Sequence, residues 1–381
     1  MQTILMMKTT IYADNAATTR LDQQALEAML PWLQEEYGNA SQPYSFSRGP
    51  KKALREAREQ IAECIHASPE EIFFTSGGTE SDNWAIKGYA FADPDHRATI
   101  TSSFEHHAVL NTCQAIERLG HPVVYLSPTS TGTVLPTTLE NCITDRTRLV
   151  SIMYANNELG SIQPIKELCF VAHAHGALFH TDAVQAVGHV PIDVQNLGVD
   201  LLSASAHKFN GPKGIGFLYI RKGAAIASFA DGGAQEFGRR AGTENVAGIV
   251  GMATALKSNC DAQQENEHHL RLLERTVTER LDTAGVRYTH NGGINTLPGL
   301  LNLSFPGKSG EAILHRLDLM GICISTGSAC DSKSTEISHV LRAIKLDETL
   351  ALGTVRISLG KNNTIDEAKR IAEALIKVVA H

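Results

Sequence analysis

Between residues 53 and 220 the chain alternates short apolar runs with amphipathic stretches, and this alternation limits the folds open to it. Glu71–Thr75, Ala98–Thr101, Val123–Leu126, Leu149–Met153, Leu178–Thr181, Leu201–Ala204 and Gly216–Ile220 read as strands. Ala53–Ile65, His107–Leu119 and Ile165–His175 read as helices, with apolar residues at intervals of three and four. Near-continuous apolar strands separated by helices predict an α/β fold, with a mostly parallel sheet covered on both faces. Beyond residue 245 the texture changes. Asn245–Arg280 predicts a long helix leaving the sheet, with strands near Leu300–Ser304 and Val355–Ser358 and a last helix over Ile365–Val379. The pattern divides the chain into a large domain, residues 15–260, and a smaller α+β domain formed by residues 1–14 and 261–381.

Composition narrows the function classes. The 381 residues are 43% hydrophobic and 20% charged, values of a globular chain and not of a disordered one. A net charge of −7 disfavours a generally basic nucleic-acid binder, and no direct nucleic-acid contact is expected. No stretch reaches the 18 or so apolar residues of a membrane span, and Ile4–Met7 is too short for a signal core. A soluble, cytoplasmic protein is expected. The 7 cysteines are scattered, odd in number and without a C-x-x-C pair. That pattern disfavours a disulfide framework and a structural zinc site, and no metal ligand is assigned.

Five segments have residue types that could carry chemistry. Lys208 follows a buried strand and His207, and a Gly/Pro turn comes after it; a desolvated amine there is a nucleophile. Asp182 ends a strand, where ligands bind in open α/β sheets, and an acid there can pair with a protonated pyridine nitrogen. Thr75-Ser-Gly77-Gly78-Thr79-Glu80 joins a strand to a helix and could hold a phosphate on free backbone N–H groups. It has neither the Walker nor the Rossmann spacing. His106 follows a strand and could stack on a flat cofactor and move protons. Cys330 lies in a small, polar, Gly-containing stretch where a thiol is reachable, whereas Cys64, Cys113, Cys169 and Cys323 sit among apolar residues and read as inert. Each segment alone admits a plainer reading: a solvated lysine, a capping aspartate, an ordinary turn, a surface histidine, a buried cysteine.

Taken together and in order, these segments resemble the cysteine desulfurases, fold-type-I pyridoxal 5'-phosphate enzymes of the class V aminotransferase superfamily. The similarity runs from Tyr12-Ala-Asp-Asn-Ala-Ala-Thr-Thr19 to Val355-Arg356-Ile-Ser-Leu-Gly360. Ser325-Thr-Gly-Ser-Ala-Cys330, with Ser338-His-Val-Leu-Arg342, is similar to the long-loop, group I branch that serves iron–sulfur assembly and tRNA thiolation. The resemblance implies that Lys208 bonds the cofactor aldehyde, Asp182 pairs with its ring nitrogen and Gln185 with its ring hydroxyl. His106 would stack on the ring. Gly78, Thr79, Ser205 and His207 would hold the phosphate, joined by Thr243 from the neighbouring subunit of an obligate homodimer. Asn157 would serve both cofactor and substrate, and with Asn39 and Arg356 would hold the carboxylate of L-cysteine. Lys208 would take the Cα proton, and Cys330 would carry the sulfur as a persulfide to an acceptor protein, a scaffold or a thiolation enzyme. His106 would take the proton of Cys330.

The chain departs from this pattern at Phe237, where a basic residue is usual, and at Tyr44, where histidine is common. It departs again at Asp331–Lys333 and at Ile337. The alternatives are a selenocysteine lyase, another class V aminotransferase-like enzyme, and a sulfur-relay subunit without cofactor.

Overall fold

Seven apolar runs assemble into one sheet, in the spatial order Ile72–Thr75, Gly216–Ile220, Leu201–Ser205, Leu178–Asp182, Thr147–Ser151, Ala98–Ser102, Val123–Leu126. Only Gly216–Ile220 runs antiparallel to its neighbours; the remaining pairs are parallel. The computed structural model describes residues 10–326 and 337–380. Ile72–Thr75, Leu201–Ser205 and Gly216–Ile220 are buried at every position, which is why their sequences lack the alternation of a half-exposed strand. Val123–Leu126 forms one edge, and Val124 and Tyr125 there are exposed.

Strand ends shift where a side chain interrupts the ladder. The run expected at 149–153 is a strand at Thr147–Ser151. Past Ser151 the ladder continues toward Leu178–Asp182 but ends on the Ala98–Ser102 side, where the backbone N–H of Met153 donates instead to both carboxylate oxygens of Glu105, at 3.0 Å each.

The helix expected from Ala53 begins at Arg48 and ends at Cys64. Pro50 sits in its first turn, where a missing N–H costs nothing. Pro50, Ala53, Leu54, Ala57, Ile61 and Ala62 form its buried stripe. The single helix expected over 245–280 is two, Val246–Asp261 and Gln263–Thr283, broken at Ala262 (φ −100°, ψ 13°). The break follows from packing. Val246–Asp261 lies on Gln23–Gln34 and Arg48–Cys64, whereas Gln263–Thr283 lies on Ile365–Val379, so one straight helix could not serve both.

Leu270, Leu273, Val277 and Leu281 bury against Ile371, Ala372 and Leu375 in an apolar cluster of their own. Ile11 and Ala13 join that cluster from the other end of the chain. Ile11–Tyr12 pairs in parallel with Ile322–Cys323. A three-stranded antiparallel sheet, Thr354–Ser358, Leu300–Ser304 and Thr289–His290, completes this body. Among the described residues no helix is long and apolar enough to cross a membrane.

Leu273 is fully buried between the two helices. Leu273→Ala is expected to lower unfolding free energy by about 2–5 kcal/mol, the usual range for a leucine deletion that leaves a cavity. Urea denaturation followed by circular dichroism measures it.

Candidate active site

Five parallel strands end on the same side of the sheet, at Thr75, Ser102, Ser151, Asp182 and Ser205. The segments leaving them enclose a cavity of about 620 Å³. In an open α/β sheet this is where a ligand binds.

Lys208 closes a single 3₁₀ turn, Ala206–Lys208, directly after Ser205. Its Nζ donates to the carbonyls of Ala16 and Ala17, at 2.5 and 2.9 Å. Gln185 Nε2 donates to the same Ala16 carbonyl at 2.9 Å. Asp182 Oδ1 accepts from the Val184 N–H at 2.9 Å, so this aspartate caps its own turn as well as facing the cavity. Burial raises its carboxyl to about 6, against the pull of the Val184 amide and the Lys208 ammonium.

Behind Asp182 lies a buried polar layer. Asp82 is one turn beyond Thr79 on the helix Gly78–Phe91 and is 1% exposed. Its Oδ1 has no hydrogen-bond partner and stands 3.7 Å from His180 Nε2. Burial and then the Asp182 charge hold Asp82 well above the ordinary carboxylate range. Burial lowers His180 to about 3, and hydroxyls of Ser151 and Ser203 meet its two ring nitrogens at 2.8 and 3.0 Å. Burial also raises Glu105 to about 8 and Glu158 to about 7.

His106 caps the helix His107–Glu117, its Nδ1 accepting the Ala108 N–H at 3.1 Å. Burial, helped by the Lys208 charge, lowers it to about 4. At neutral pH the ring is uncharged with its proton on Nε2, because Nδ1 is engaged as an acceptor. For this ring to take up a proton, its cap must break.

Arg356 lies on the strand Thr354–Ser358 and is 3% exposed. It donates to Asp14 Oδ1 at 2.7 Å and to the Asn157 carbonyl at 3.0 Å, while its Nε has no partner. A buried guanidinium in the wall of the cavity suits a carboxylate ligand.

The cavity thus brings together Lys208, Asp182, Gln185, His106, Gly78, Thr79, Ser205, His207, Asn157 and Arg356. It does not include Asn39, whose Oδ1 accepts from the Ser41 N–H at 2.8 Å, or Thr243, which is exposed. Cys330 lies outside the described residues, as do Asp331–Lys333. The described residues on either side of that segment are anchored at the site. Ser325 exchanges backbone hydrogen bonds with Arg356, at 3.0 and 2.7 Å, and Ser338 Oγ donates to Glu158 Oε2 at 2.6 Å. Sequence reasoning missed Asp14, Asp82, Glu158 and His339. Asp82 carried a usable signal, since three residues from Thr79 on a helix means the same face.

Residues 11–371 match the family model described as aminotransferase class-V. The chain belongs to the class-V aminotransferase family. It is 48% identical over 373 residues to a cysteine desulfurase IscS of Methanosarcina thermophila, covering 97% of this chain and 92% of that one. A solved structure described as a NifS-like protein superposes with a TM-score of 0.92 at 38% identity, covering 98% of this chain and all of the other. A second, described as SspA in complex with cysteine, gives 0.82 at 38% identity, covering 93% of this chain and all of the other.

Class-V aminotransferases of this kind depend on pyridoxal phosphate, and the site fits it. A Cβ on Gly78 would stand 2.5 Å from Val184 Cγ2, so a side chain there would fill the cradle at the helix N-terminus. Gly77, at φ 147°, has the left-handed backbone that glycine adopts without strain. An amine, a buried acid and a planar histidine complete a donor set suited to an aldehyde, a ring nitrogen and a ring face.

The buried acids bind their protons more tightly folded than unfolded, so they make stability fall as pH rises through their raised values. The depressed histidines act oppositely, but only below about pH 6.5. Between about pH 6.5 and 8 the cofactor-free protein is therefore expected to lose stability, and Glu105→Gln to flatten the decline by about 1.5–2 kcal/mol, from 1.4 kcal/mol per pH unit per proton. Urea titrations of both proteins at the two pH values decide it; parallel curves would place the proton elsewhere.

Proposed function

We propose that this class-V aminotransferase family member is a cysteine desulfurase, which converts L-cysteine to L-alanine and keeps the sulfur as a persulfide on Cys330 for an acceptor protein. One observation carries the reading. Lys208, Asp182, His106 and Arg356 line one cavity, and Ser325 and Ser338, on either side of the Cys330 segment, are bonded to Arg356 and Glu158 of the same cavity.

Pyridoxal phosphate, when bound, withdraws electrons from the amine-bearing carbon of the substrate and makes its proton acidic. Arg356 would hold the substrate carboxylate, with Asn157 in the same cavity wall. Lys208 would bond the cofactor aldehyde, and its Nζ, when free, would take the Cα proton. Asp182 would pair with the ring nitrogen and Gln185 with the ring hydroxyl. Gly78, Thr79, Ser205 and His207 receive the phosphate. His106 would stack on the ring and, once its Nδ1 leaves the Ala108 N–H, would take the proton of Cys330. The Cys330 thiolate would attack the substrate sulfur; the S–S bond forms, the Cβ–S bond breaks, and the electron pair left on carbon takes up a proton before alanine leaves. An iron–sulfur scaffold or a tRNA-thiolation enzyme, in the cytoplasm, then receives the sulfur.

Self-association belongs to this reading. Leu26, Leu30 and Leu33 follow one another at helical spacing on Gln23–Gln34, with Tyr37 beyond its end, and all four are exposed, while Ala25 on the same helix is fully buried. Such a stripe supports a homodimer that brings Thr243 of one protomer to the phosphate of the other. Leu30→Glu combined with Leu33→Glu is expected to give a monomer in sedimentation that retains less cofactor on gel filtration. A dimer with full cofactor would remove this face from the interface.

The central test compares wild type with Cys330→Ala, given L-cysteine and a reductant. Both are expected to be yellow, with only wild type releasing sulfide and alanine. Sulfide at the wild-type rate from the variant would overturn the role of Cys330. Selenide from selenocysteine alone would point to a selenocysteine lyase, and pyruvate from alanine plus a keto acid to an aminotransferase.

A further inference from the structure

We propose that Cys64 and Cys260, remote in sequence and outside the active-site cavity, form a redox-active dithiol that a peroxide oxidises to an interhelix disulfide. Cys64 is the last residue of the helix Arg48–Cys64, and Cys260 is next to last in Val246–Asp261. The two helices pack on each other, and the two thiols lie close enough to shift one another's ionisation. Neither is fully buried. Both border one surface cleft of about 550 Å³, which gives a small oxidant access. Cys113 and Cys169, by contrast, are buried in the core, with their thiols pushed up by burial, Cys113 to about 12.

The surroundings divide the roles. Each thiol acts on the other, so that the Cys260 thiol is lowered and that of Cys64 is raised. The Lys257 ammonium, one turn before Cys260, favours the thiolate. The carboxylates of Asp261 and Glu63 oppose it, and Lys257 is itself bonded to Asp261 at 2.5 Å. Cys260 is therefore the nucleophile and Cys64 the resolving thiol, the division found in reactive dithiols.

The chemistry balances with hydrogen peroxide as oxidant. Cys260 thiolate attacks one peroxide oxygen, an S–O bond forms, the O–O bond breaks, and hydroxide leaves and is protonated to water. Cys64 sulfur then attacks the Cys260 sulfenic acid, the S–S bond forms, the S–O bond breaks, and a second water leaves. Two thiols lose two protons and two electrons, and one peroxide becomes two waters. The product would tie the end of Val246–Asp261, just before the break at Ala262, to the helix beneath it.

The experiment uses the full chain with Cys330→Ala, so that its outcome is independent of the desulfurase reading. The protein is treated with stoichiometric hydrogen peroxide, digested without reductant and analysed by mass spectrometry. The expected product is a peptide pair joined through Cys64 and Cys260, reversed by dithiothreitol and formed about tenfold or more faster than oxidation of the exposed Cys142. Cys64→Ser should stop at a sulfenic acid on Cys260, trapped by dimedone, and Cys260→Ser should give neither product. Absence of the cross-link, with both thiols still open to alkylation, would overturn the proposal. So would a dimedone adduct on Cys64 in the Cys260→Ser variant, which would reverse the roles.

Discussion

The carbonyl oxygen of Ala16 accepts hydrogen bonds from Lys208 and from Gln185, and the site is built around that junction. Ala16 belongs to a strap, residues 14–19, that touches both apolar bodies. Asp14 holds Arg356, the Ala16 N–H is taken by Ser358 Oγ, Thr18 Oγ1 lies 3.1 Å from His207 Nδ1, and Thr19 Oγ1 donates to the His207 carbonyl at 2.8 Å. Arg356 and Lys208, the groups proposed to hold the substrate and to bond the cofactor, are thus fixed to one run of six residues. A shift of that run would move both together, which makes it the natural place for mutations to affect binding without touching a catalytic side chain.

The surroundings of the cavity also explain how so much charge is tolerated inside. Asp82, Glu105, Asp182 and Glu158 are all buried near the cavity, and uncompensated carboxylates there would be costly. The structure spreads that cost. Glu105 takes two bonds from the Met153 N–H and one from Ser102, Glu158 takes Ser338, and Asp82 is left without a partner on Oδ1. Burial keeps the first, second and fourth of these acids partly or wholly protonated. Asp182 lies nearest to Lys208 in electrostatic terms and is the one that a cationic ring nitrogen would return to its charged form. The field beneath the cofactor then belongs to a single residue.

Much of this was legible in the chain. The sheet was readable because fully buried parallel strands leave continuous apolar runs, and the site because its motifs follow strand ends. Asp182 ends such a run, and Lys208 and His106 stand in the short turns that follow one. What was not legible depended on tertiary contact. The break at Ala262 has no glycine or proline to announce it and arises because the two helices serve different cores. Asp14 looks like any loop aspartate until Arg356, 342 residues away, meets it. Cys64 reads as inert from its apolar neighbours, and only the packing of two helices places Cys260 against it. Asn39 and Thr243 lie outside the cavity of a single chain; the role proposed for Thr243 is one that a second subunit would supply.

Phe237 shows how a departure from the family pattern can be read physically. Phe237 and its neighbour Glu236 adopt positive φ, 57° and 46°, a conformation that costs roughly 1–2 kcal/mol for residues with a Cβ. The strain is held by Arg58. Its guanidinium grips the Glu236 carboxylate at 2.7 and 2.9 Å and lies 4.2 Å from the Phe74 ring and 5.1 Å from that of Phe237. Glu236 in turn accepts the Phe74 N–H at 2.8 Å, so the turn is bolted to the central sheet. A basic residue at 237 would bring a second cation beside Arg58 and weaken its hold on Glu236. An aromatic ring adds a favourable face to the same cation. The substitution therefore suits the local charge arrangement, and it leaves an exposed ring at the surface between the Gln235 turn and Arg240, whose guanidinium is bonded to Glu80 beside the phosphate turn.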